Sequence, residues 1–335
     1  MALSPPVTVI LPAHNAESTI VPAIASTLNQ SYTDFELWVL ENGSTDRTAE
    51  MARSFNDPRI KVFELGPVGF QGALQHGIGH ARSEWLARMD ADDLMFSHRL
   101  KVQMEVARDH PEFVLIGTAY ALLTPFGHIF ERVLNCPSRE VDSLRLGRDR
   151  FFANPSTIFK RKVALEVGCI ESTFTMDDIP LWFRLLTRGK GWEIAEPLHI
   201  YRLQPNSLSK SIECYRQGLL ARRKYAPETL GYWPATQESA CSGSGWFEIA
   251  GLELLSGNGA VVRQAANFLE PESPRAAQRF RWASRIGRVG YACYRWRYPT
   301  RHQYRYRPDW EKLFAPLLNG STVLSQKHSV PATGS

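Results

Sequence analysis

The chain has 335 residues, of which 44% are hydrophobic and 22% are charged. Its 17 Phe, 11 Tyr and 9 Trp exclude a mainly disordered chain, because such chains carry few aromatic residues. The 39 Lys and Arg against 34 Asp and Glu give a formal net charge of +5, a mild excess that permits a polyanionic partner without requiring one.

Strands and helices alternate through the first third of the sequence. Short apolar, β-branched runs predict strands at 7–11, 35–40, 59–65 and 85–89. The segments after them predict helices at 17–29, at 45–55, up to about 81, and at 96–109. Apolar strands joined by helices are typical of a parallel sheet that is covered on both faces, so we assign the fold class α/β.

The pattern changes beyond residue 110. The sequence predicts a hairpin at 113–133, helices at 138–146 and 178–187, and strands at 192–195 and 199–203. From residue 210 onward the strand signals fade, and we predict helices with irregular joints, ending in a flexible tail at 326–335.

Polar clusters follow the predicted strands. They are Ala13-His14-Asn15, Glu41-Asn42-Gly43-Ser44 and Asp90-Ala91-Asp92-Asp93. Because parallel strands end at a common edge, where α/β sheets bind ligands, we expect the clusters to converge on one crevice.

The acidic cluster at 90–93 has two interpretations. Closely spaced carboxylates repel one another unless a cation lies among them, and a hard divalent ion bridged to phosphates suits such oxygen ligands. The alternative is a helix N-cap, since a helix is predicted directly afterwards. A cap needs only one Asp, so we favour the metal and phosphate interpretation.

These clusters lie within longer motifs that resemble those of family 2 glycosyltransferases. Residues 12–17 resemble the family's P-x-x-N-x-E opening, 26–36 its S-x-x-x-Q-x-Y-x-x-x-E stretch, and 41–46 its D-D-G-S-T-D. Residues 88–103 are similar to R-M-D-A-D-D…R-L-x-x-Q, which places Arg99 and Gln103 in the motif. The resemblance continues to about residue 209 through Asn154-Pro155-Ser156, Gly168, Asp177-Asp178, Leu181-Trp182, Arg184, Tyr201-Arg202, Ser207 and Ser209.

The resemblance implies a GT-A fold over residues 5–209, a Rossmann-like, mostly parallel central sheet with helices on both faces. Residues 210–325 would then form a mainly helical C-terminal region that selects the acceptor or contacts a membrane surface. The family transfers a sugar from a nucleoside diphosphate donor with inversion at the anomeric carbon, which is the reaction implied here.

The resemblance also implies a donor site and its metal. The implied donor-binding residues are Pro12, Ala13, Asn15, Glu17, Glu41, His76, Asp90, Ala91 and Asp92. Asp90 would bond the ribose, while Asp92, together with Asp90, would hold Mg²⁺ or Mn²⁺ against the diphosphate. Glu41 stands where the family usually has an Asp that accepts the uracil N3–H. Its side chain is one methylene longer than Asp but is also a carboxylate, and we still expect a UDP-sugar.

Asp178 matches the family's catalytic base. An inverting displacement needs a base on the face opposite the leaving group to take the proton of the acceptor hydroxyl. Asp178 also begins a predicted helix with Pro180 in its first turn, so an N-cap role is the alternative, and one carboxylate can serve both. Trp182 is either a wall beside the acceptor or a core residue.

Further departures from the family concern residues near the phosphates. His76, where the family often has Asn, either approaches the diphosphate or is a solvated helix residue. Gln204 stands where many relatives have a His that can reach the metal. Arg202 either meets phosphate or forms a structural pair.

The C-terminal third contains a basic, aromatic segment. Ten arginines and no acidic residue lie from Arg275 to Arg307, interleaved with Trp and Tyr. This composition suits a membrane interface with anionic lipid, nucleic acid, or a merely solvated arginine face. We favour contact with a membrane or with a lipid-linked or anionic glycan acceptor, and we expect no nucleic acid partner because no known nucleic-acid motif accompanies the segment.

The compartment is predicted from the termini and the cysteines. No apolar run approaches the roughly 20 residues that cross a bilayer. The N-terminus lacks the features of a secretory signal, and the 5 cysteines include no CxxC pair. We therefore expect a cytoplasmic protein, with peripheral contact at the inner face of the membrane left open.

The resulting hypothesis is a metal-dependent inverting hexosyltransferase that moves a sugar from a UDP-sugar to a hydroxyl acceptor in polysaccharide, glycolipid or glycan biosynthesis. One alternative is a nucleotidyltransferase, although the chain has Pro12-Ala13-His14-Asn15 in place of a Gly-rich phosphate loop. Another is a non-catalytic nucleic-acid or membrane adaptor built on an inactive transferase fold.

Overall fold

Strands and helices alternate from Val7 to Asp109, as the sequence predicts. The structure, a computed structural model, describes residues 5–133, 137–148, 153–174, 178–203, 217, 220–221, 223–227, 250–251, 254, 258–270, 274–285 and 303–319. The first strands are β1 (Val7–Ala13), β2 (Phe35–Glu41), β3 (Ile60–Glu64), β4 (Trp85–Arg88) and β5 (Leu94–Met95). The helices among them are α1 (Ile20–Leu28), α2 (Thr48–Arg53), α3 (Gly69–His80) and α4 (Arg99–Asp109).

The later elements complete one mixed sheet and its covering helices. The strands are β6 (Phe113–Leu123), β7 (Ile129–Val133), β8 (Arg139–Val141), β9 (Ile158–Lys160), β10 (Lys190–Arg202) and β11 (Gln303–Tyr306). The helices are α5 (Ser143–Arg148), α6 (Arg161–Glu166), α7 (Asp178–Leu185), α8 (Gly259–Leu269), α9 (Pro274–Ala283) and α10 (Pro308–Leu318), with a 3₁₀ turn at Asn154–Ser156.

The first four strands pair in parallel, as predicted. β1 lies between β2 and β4, and β2 is followed by β3. In this register Ala13 lies beside Glu41, and Glu41 lies beside Glu64. The polar clusters after β1, β2 and β4 therefore emerge at one edge of the sheet.

The second half of the sheet is mixed, in the order β11-β7-β6-β9-β4-β1-β2-β3. β9 is antiparallel to both β4 and β6, while β10 runs parallel to β6. The predicted hairpin at 113–133 is present as β6 and β7.

Three sequence predictions need correction in this half. The two strands predicted at 192–195 and 199–203 are the single strand β10, because the break around Pro197 is a register irregularity and not a loop. The helix predicted at 138–146 begins only at Ser143, since Arg139–Val141 pair with β10. The helix predicted from residue 96 begins at Arg99, after β5 has paired with His199 and Ile200.

The prediction of a mainly helical C-terminal region needs correction, because this region also contains a strand. β11 pairs antiparallel with β7 at the edge of the sheet. After it, α10 buries Trp310, Phe314 and Leu317 against a cluster that includes Phe96 and Ile129. The boundary at residue 209 stays a prediction, but residues 303–318 complete the sheet and core of the N-terminal region. The predicted tail at 326–335 lies outside the described residues.

Alternate residues of β1 serve the two faces of the sheet. Val9 and Leu11 pack with α1, whereas Ile10 packs with Leu40 and α3. Gly77 of α3 lies so close to the sheet that a Cβ there would be 3.0 Å from both Ile10 Cγ2 and Leu40 Cδ1. This contact fixes α3, whose first turn lies after β3. In the part of the chain that the structure describes, no helix has the length and apolar character needed to cross a membrane.

Candidate functional site

The ends of the parallel strands are joined by backbone hydrogen bonds. Asn42 N–H donates to the Ala13 carbonyl at 2.9 Å, and Leu65 N–H donates to the Glu41 carbonyl at 2.9 Å. Met89 N–H donates to the Ile10 carbonyl at 3.1 Å, so the acidic loop leaves β4 beside the end of β1. The structure thus brings the three predicted polar clusters to one edge.

Asn15 connects the loop after β1 to the loop after β2. Its backbone is left-handed, with φ of 49°, a conformation that Asn tolerates better than most residues. Its Oδ1 accepts from Thr45 N–H at 2.9 Å, and its own N–H donates to Ser44 Oγ at 3.0 Å. Asn15 is exposed, so it combines this loop contact with access to solvent at the edge.

Glu17 lies against the same second loop. Its N–H donates to Asp46 Oδ2 at 3.0 Å, and its Oε2 accepts from Arg47 N–H at 3.4 Å. Desolvation opposes the charge of Asp46, but hydrogen bonds from Thr48 and from the Glu17 N–H outweigh it and lower the pKa of Asp46. These contacts hold Glu17 against the loop after β2, and its part in donor binding stays a prediction.

Glu41 is buried at the end of β2, with one carboxylate oxygen accepting from Ser44 N–H. The neighbouring Asn42 is also buried, and its Oδ1 has no hydrogen-bond partner among the described residues. Gly43 adopts φ of +69°, and a Cβ there would lie 2.8 Å from the Pro67 nitrogen. The loops after β2 and β3 are therefore in close contact, and only glycine fits between them.

The acidic loop divides its carboxylates between the core and the edge. Asp93 is 1% exposed, and its Oδ2 lies 2.8 Å from Nε2 of the fully buried His199. Its Oδ1 accepts from Arg202 N–H at 2.8 Å. Burial, followed by the charges of Asp92 and Asp90, raises the pKa of Asp93 well above its usual range. Asp93 is therefore a structural residue of the loop.

Arg99 completes this buried network. Its Nη1 donates to His199 Nδ1 at 3.1 Å, and since Arg cannot accept, the His199 proton lies on Nε2 and is donated to Asp93. Burial and the adjacent Arg99 charge lower the pKa of His199 well below its usual range, while burial lowers the pKa of Arg99 to about 9. Arg99 also donates to the Arg88 carbonyl and to Gln103 Oε1, each at 3.0 Å. The motif residues Arg99 and Gln103 thus stabilise the acidic loop through Arg88 and His199.

Asp90 and Asp92 remain partly exposed at the edge. Asp90 Oδ1 accepts from Arg88 Nη2 at 3.2 Å, and the Asp92 carbonyl accepts from Arg202 Nε at 2.6 Å. The structural pairing considered for Arg202 is thus present. The buried Arg88 guanidinium also lies 5.3 Å from the centre of the Phe70 ring. Pro12, Ala13 and Ala91 are buried beneath this edge.

The edge fits a metal that is shared with a substrate. Among the residues that the structure describes, no three His, Cys, Asp or Glu side chains gather to hold an ion by themselves. Mg²⁺ and ions like it are commonly held by one or two carboxylates together with substrate phosphates. Asp92 and Asp90 match that donor set, while Asp93 is engaged in the core. Gln204 lies outside the described residues.

Asp178 is the first residue of α7, where its Oδ1 accepts from Ile179 N–H at 2.8 Å. The helix is predicted to start at Asp178, and it does. The catalytic role of Asp178 stays a prediction. The segment before it is joined to α3, because Gln71 Nε2 donates to the Phe174 carbonyl at 2.6 Å. Trp182 is buried, which is the core alternative. Asp177 lies outside the described residues.

His76 lies in the second half of α3. Its ring stacks on His80 with centroids 4.2 Å apart and lies 5.7 Å from the Phe63 ring. Desolvation and the nearby His80 lower its pKa, which favours the neutral ring. These contacts belong to the helix and the sheet, and the predicted approach of His76 to a diphosphate stays a prediction.

Sequence reasoning missed His199 and Phe70. His199 lies in an apolar strand, 106 residues from its partner Asp93, so no local motif marks it. Phe70 is 41% exposed beside Arg88, and the only sequence signal for it is an aromatic residue in a Gly-rich turn.

Comparisons with known proteins agree with this geometry. The model of glycosyl transferase family 2 matches residues 8–168. EpsE of Bacillus subtilis (strain 168), named as a glycosyltransferase, is 30% identical over 211 residues, which cover 60% of this chain and 74% of EpsE. The O-antigen biosynthesis glycosyltransferase WbnJ of Escherichia coli is 29% identical over 62% of this chain and 84% of its own length.

A third relative has a more specific name but a shorter match. It is the Escherichia coli UDP-Glc:alpha-D-GlcNAc-diphosphoundecaprenol beta-1,3-glucosyltransferase WfgD. This chain is 34% identical to it over 101 residues, which cover 30% of this chain and 40% of WfgD.

Solved structures share the fold at low sequence identity. S. aureus TarS in complex with UDP-GlcNAc superposes with a TM-score of 0.56 at 14% identity, covering 84% of this chain and 92% of TarS residues 1–349. The mannosyltransferase PcManGT of Pyrobaculum calidifontis, in complex with GDP-Man and Mn²⁺, gives a TM-score of 0.53 at 17% identity, covering 87% of each chain. The fold is thus that of the GT-A glycosyltransferases, as expected. Its sheet edge, its motifs and its relatives agree, and the chain is a glycosyltransferase that belongs to glycosyl transferase family 2.

Proposed function

We propose that the protein transfers a sugar, with inversion, from a UDP-sugar to a hydroxyl of a lipid-linked or growing glycan. The observation that carries the proposal is the division of the acidic loop, which keeps Asp90 and Asp92 at the edge while Asp93 is held in the core. TarS supports the donor class, since it was solved with UDP-GlcNAc. WfgD supports the acceptor class, because its name includes a diphosphoundecaprenol acceptor.

The donor's nucleoside binds between the ends of β1 and β2. Ala13 and Pro12 form the floor, Asn15 and Glu41 line the pocket, and Asp90 accepts from a ribose hydroxyl. The Glu41 carboxylate at the end of β2 is the group offered to the uracil N3–H.

The diphosphate lies over Asp92. Asp92 and Asp90 would hold Mg²⁺ or Mn²⁺, which neutralises the charge that develops on the departing UDP. Of the two, Mn²⁺ has support from the PcManGT complex, although that similarity is one of fold. Arg202 fixes the loop by donating to the Asp92 carbonyl.

Asp178 accepts the proton of the acceptor hydroxyl. The hydroxyl oxygen then forms a bond to the anomeric carbon while the bond from that carbon to the UDP oxygen breaks, and the configuration inverts. Gln71 in the first turn of α3 donates a hydrogen bond to the Phe174 carbonyl, four residues before Asp178. This bond connects the chain near the proposed base to the helix beside the proposed donor site.

Two variants separate the proposed roles. Asp92→Asn should weaken UDP binding in the presence of Mn²⁺ at least tenfold, whereas Asp178→Asn should leave that binding within about twofold and slow transfer by about 10²–10⁴. Calorimetry with UDP and Mn²⁺ measures the first effect, and UDP release measures the second. Equal loss of binding in both variants would contradict this division.

A donor panel tests the reaction class. Metal-dependent release of UDP from one sugar nucleotide is the expected result. Release of pyrophosphate would indicate nucleotidyl transfer, and failure to bind any nucleotide would indicate an inactive transferase fold.

A further inference from the structure

α9 presents a cationic face with an exposed aromatic residue to solvent. Arg275, Arg279 and Trp282 of α9, together with Arg285 in the turn that follows it, recur at the spacing of helix turns, and all are exposed. Trp282 is 57% exposed, an unusual state for such a large apolar side chain. We call these four residues the basic face.

The opposite face of α9 is used by the fold. Ala277, Phe280 and Ala283 are buried in a cluster with residues of α8 and with Leu122 and Leu203. Arg281, which lies between the two faces, donates from Nη1 to Glu270 Oε1 at 2.8 Å. The buried face of α9 thus holds the helix on the core, while the basic face is turned towards solvent.

The packing also places α9 relative to the site. Leu203 follows directly after Arg202, whose N–H donates to Asp93 and whose Nε donates to the Asp92 carbonyl. Arg202 pairs with Leu123 of β6, beside Leu122. The helix pair α8–α9 thus packs at the end of β10 whose Arg202 contacts the acidic loop.

We propose that the basic face docks the protein on an anionic phospholipid surface. Arginines near such a surface are attracted to its headgroups, and Trp prefers the boundary between headgroups and acyl chains. No acidic residue lies between Arg275 and Arg307 to oppose this attraction. Docking would hold the acidic loop near the membrane, where a lipid-linked acceptor lies, a consequence that rests on the proposed function.

The direct test is flotation of the full-length chain with vesicles. We expect binding to vesicles of phosphatidylcholine mixed with phosphatidylglycerol, little binding to phosphatidylcholine alone, and a steep loss of binding as the salt concentration rises. Absence of binding to the anionic vesicles at low salt would overturn the proposal.

Variants locate the binding surface. Arg275→Ser, Arg279→Ser and Arg285→Ser together should weaken vesicle binding by about a hundredfold, since each arginine at an anionic surface contributes about fivefold. The matched control is Arg108→Ser, Arg145→Ser and Arg188→Ser, which removes the same charge from exposed positions away from α9. The control should bind as the wild type does, and equal loss in both triple variants would overturn the proposal.

Trp282→Ser should weaken vesicle binding by about tenfold, and this part of the loss should persist at high salt because it is not electrostatic. Binding of single-stranded RNA through the same arginines, without vesicle binding, would assign the face to nucleic acid and overturn the proposal. UDP release from the donor alone should be the same in the basic-face variants and the wild type. If the wild type binds vesicles but releases no UDP, the proposed function fails while the docking surface stands.

Discussion

At the scale of single residues, the buried network of Asp93, His199 and Arg99 determines where the carboxylates of the acidic loop point. His199 is neutral and joins a buried carboxylate to a buried guanidinium, each of which would be costly alone. The network leaves Asp90 and Asp92 at the sheet edge, so a residue that does not contact the proposed metal determines which carboxylates can reach it.

We expect His199→Leu to lower the free energy of unfolding by about 3–5 kcal/mol, because it leaves both Asp93 and Arg99 buried without their shared partner. Urea denaturation followed by tryptophan fluorescence measures this loss. His110→Leu is the control, since His110 is exposed and its contact with Glu112 lies at the surface, where such contacts contribute little to stability. Similar stability of the two variants would show that the network contributes little.

The candidate site illustrates which residues a sequence can reveal. The sequence identifies Asp90 and Asp92 because they directly follow a predicted strand. The parallel order of β2, β1 and β4 then places them at the same sheet edge as Asn15 and Glu41. His199 was not found because its partner is 106 residues away and the strand around it reads as ordinary core. The sequence argument invokes a cation to relieve repulsion among all three carboxylates. Asp93 does not need that cation, because His199 and the Arg202 N–H form hydrogen bonds with its two oxygens.

Glu36 provides a pH-dependent contribution to stability. It is buried in β2, where desolvation opposes its charge, but a hydrogen bond and attraction from Lys61, with a further hydrogen bond from Thr8, lower its pKa overall. A carboxyl whose pKa is lowered on folding stabilises the protein above its unfolded pKa, and that stabilisation is lost as the pH falls towards the folded value.

Thermal melting of the wild type and Glu36→Gln between pH 7 and pH 3 tests this contribution. We expect the melting temperature of the wild type to fall more steeply below about pH 4.5, because only the wild type must protonate a paired carboxylate. Glu105→Gln, at an exposed position on α4, should follow the wild-type curve. Parallel curves for the wild type and Glu36→Gln would refute the assignment.

At the scale of elements, local periodicity identified the strands and helices of the parallel half but not the joints of the mixed half. The break at Pro197 looks like a loop in the sequence, yet β10 continues through it because β6 offers a partner on both sides of the irregularity. β11 has only four residues in a basic, aromatic segment, and it forms because the edge of β7 is available. Both features depend on a neighbour that is distant in sequence.

The packing of α3 on the sheet gives a prediction with an internal control. Gly77→Ala places a Cβ 3.0 Å from Ile10 and Leu40, so close contact offsets the gain in helix propensity. Gly79→Ala, in the same helix, meets nothing within 4 Å and should raise the free energy of unfolding by about 0.5–1 kcal/mol. Chemical denaturation should show Gly77→Ala to be less stable than Gly79→Ala by at least about 1 kcal/mol. The reverse order would mean that α3 can move away from the sheet.

At the scale of the whole molecule, the residues after α9 pack again on elements from the first half of the chain. β11 extends the sheet beyond β7, and Arg307 joins it to Glu131 through a hydrogen bond of 2.8 Å from Nη1. α10 then covers Phe96, whose ring lies 4.8 Å from that of Trp310 and 5.2 Å from that of Phe314. Phe96 directly follows β5, so α10 packs beneath the acidic loop.

This packing predicts that removal of β11 and α10 destabilises the rest of the chain. Loss of α10 exposes the apolar surface now covered by Trp310, Phe314 and Leu317, each worth about 1.5–3 kcal/mol when fully buried. A chain that ends at residue 302 should therefore melt at least about 10 °C below the full chain. Phe314→Ala in the full chain should give a smaller loss of about 3–5 kcal/mol, and Lys312→Ala, beside it on α10, should give almost none. Calorimetry of the four proteins measures these differences, and a truncated chain as stable as the full one would show that the N-terminal region folds without β11 and α10.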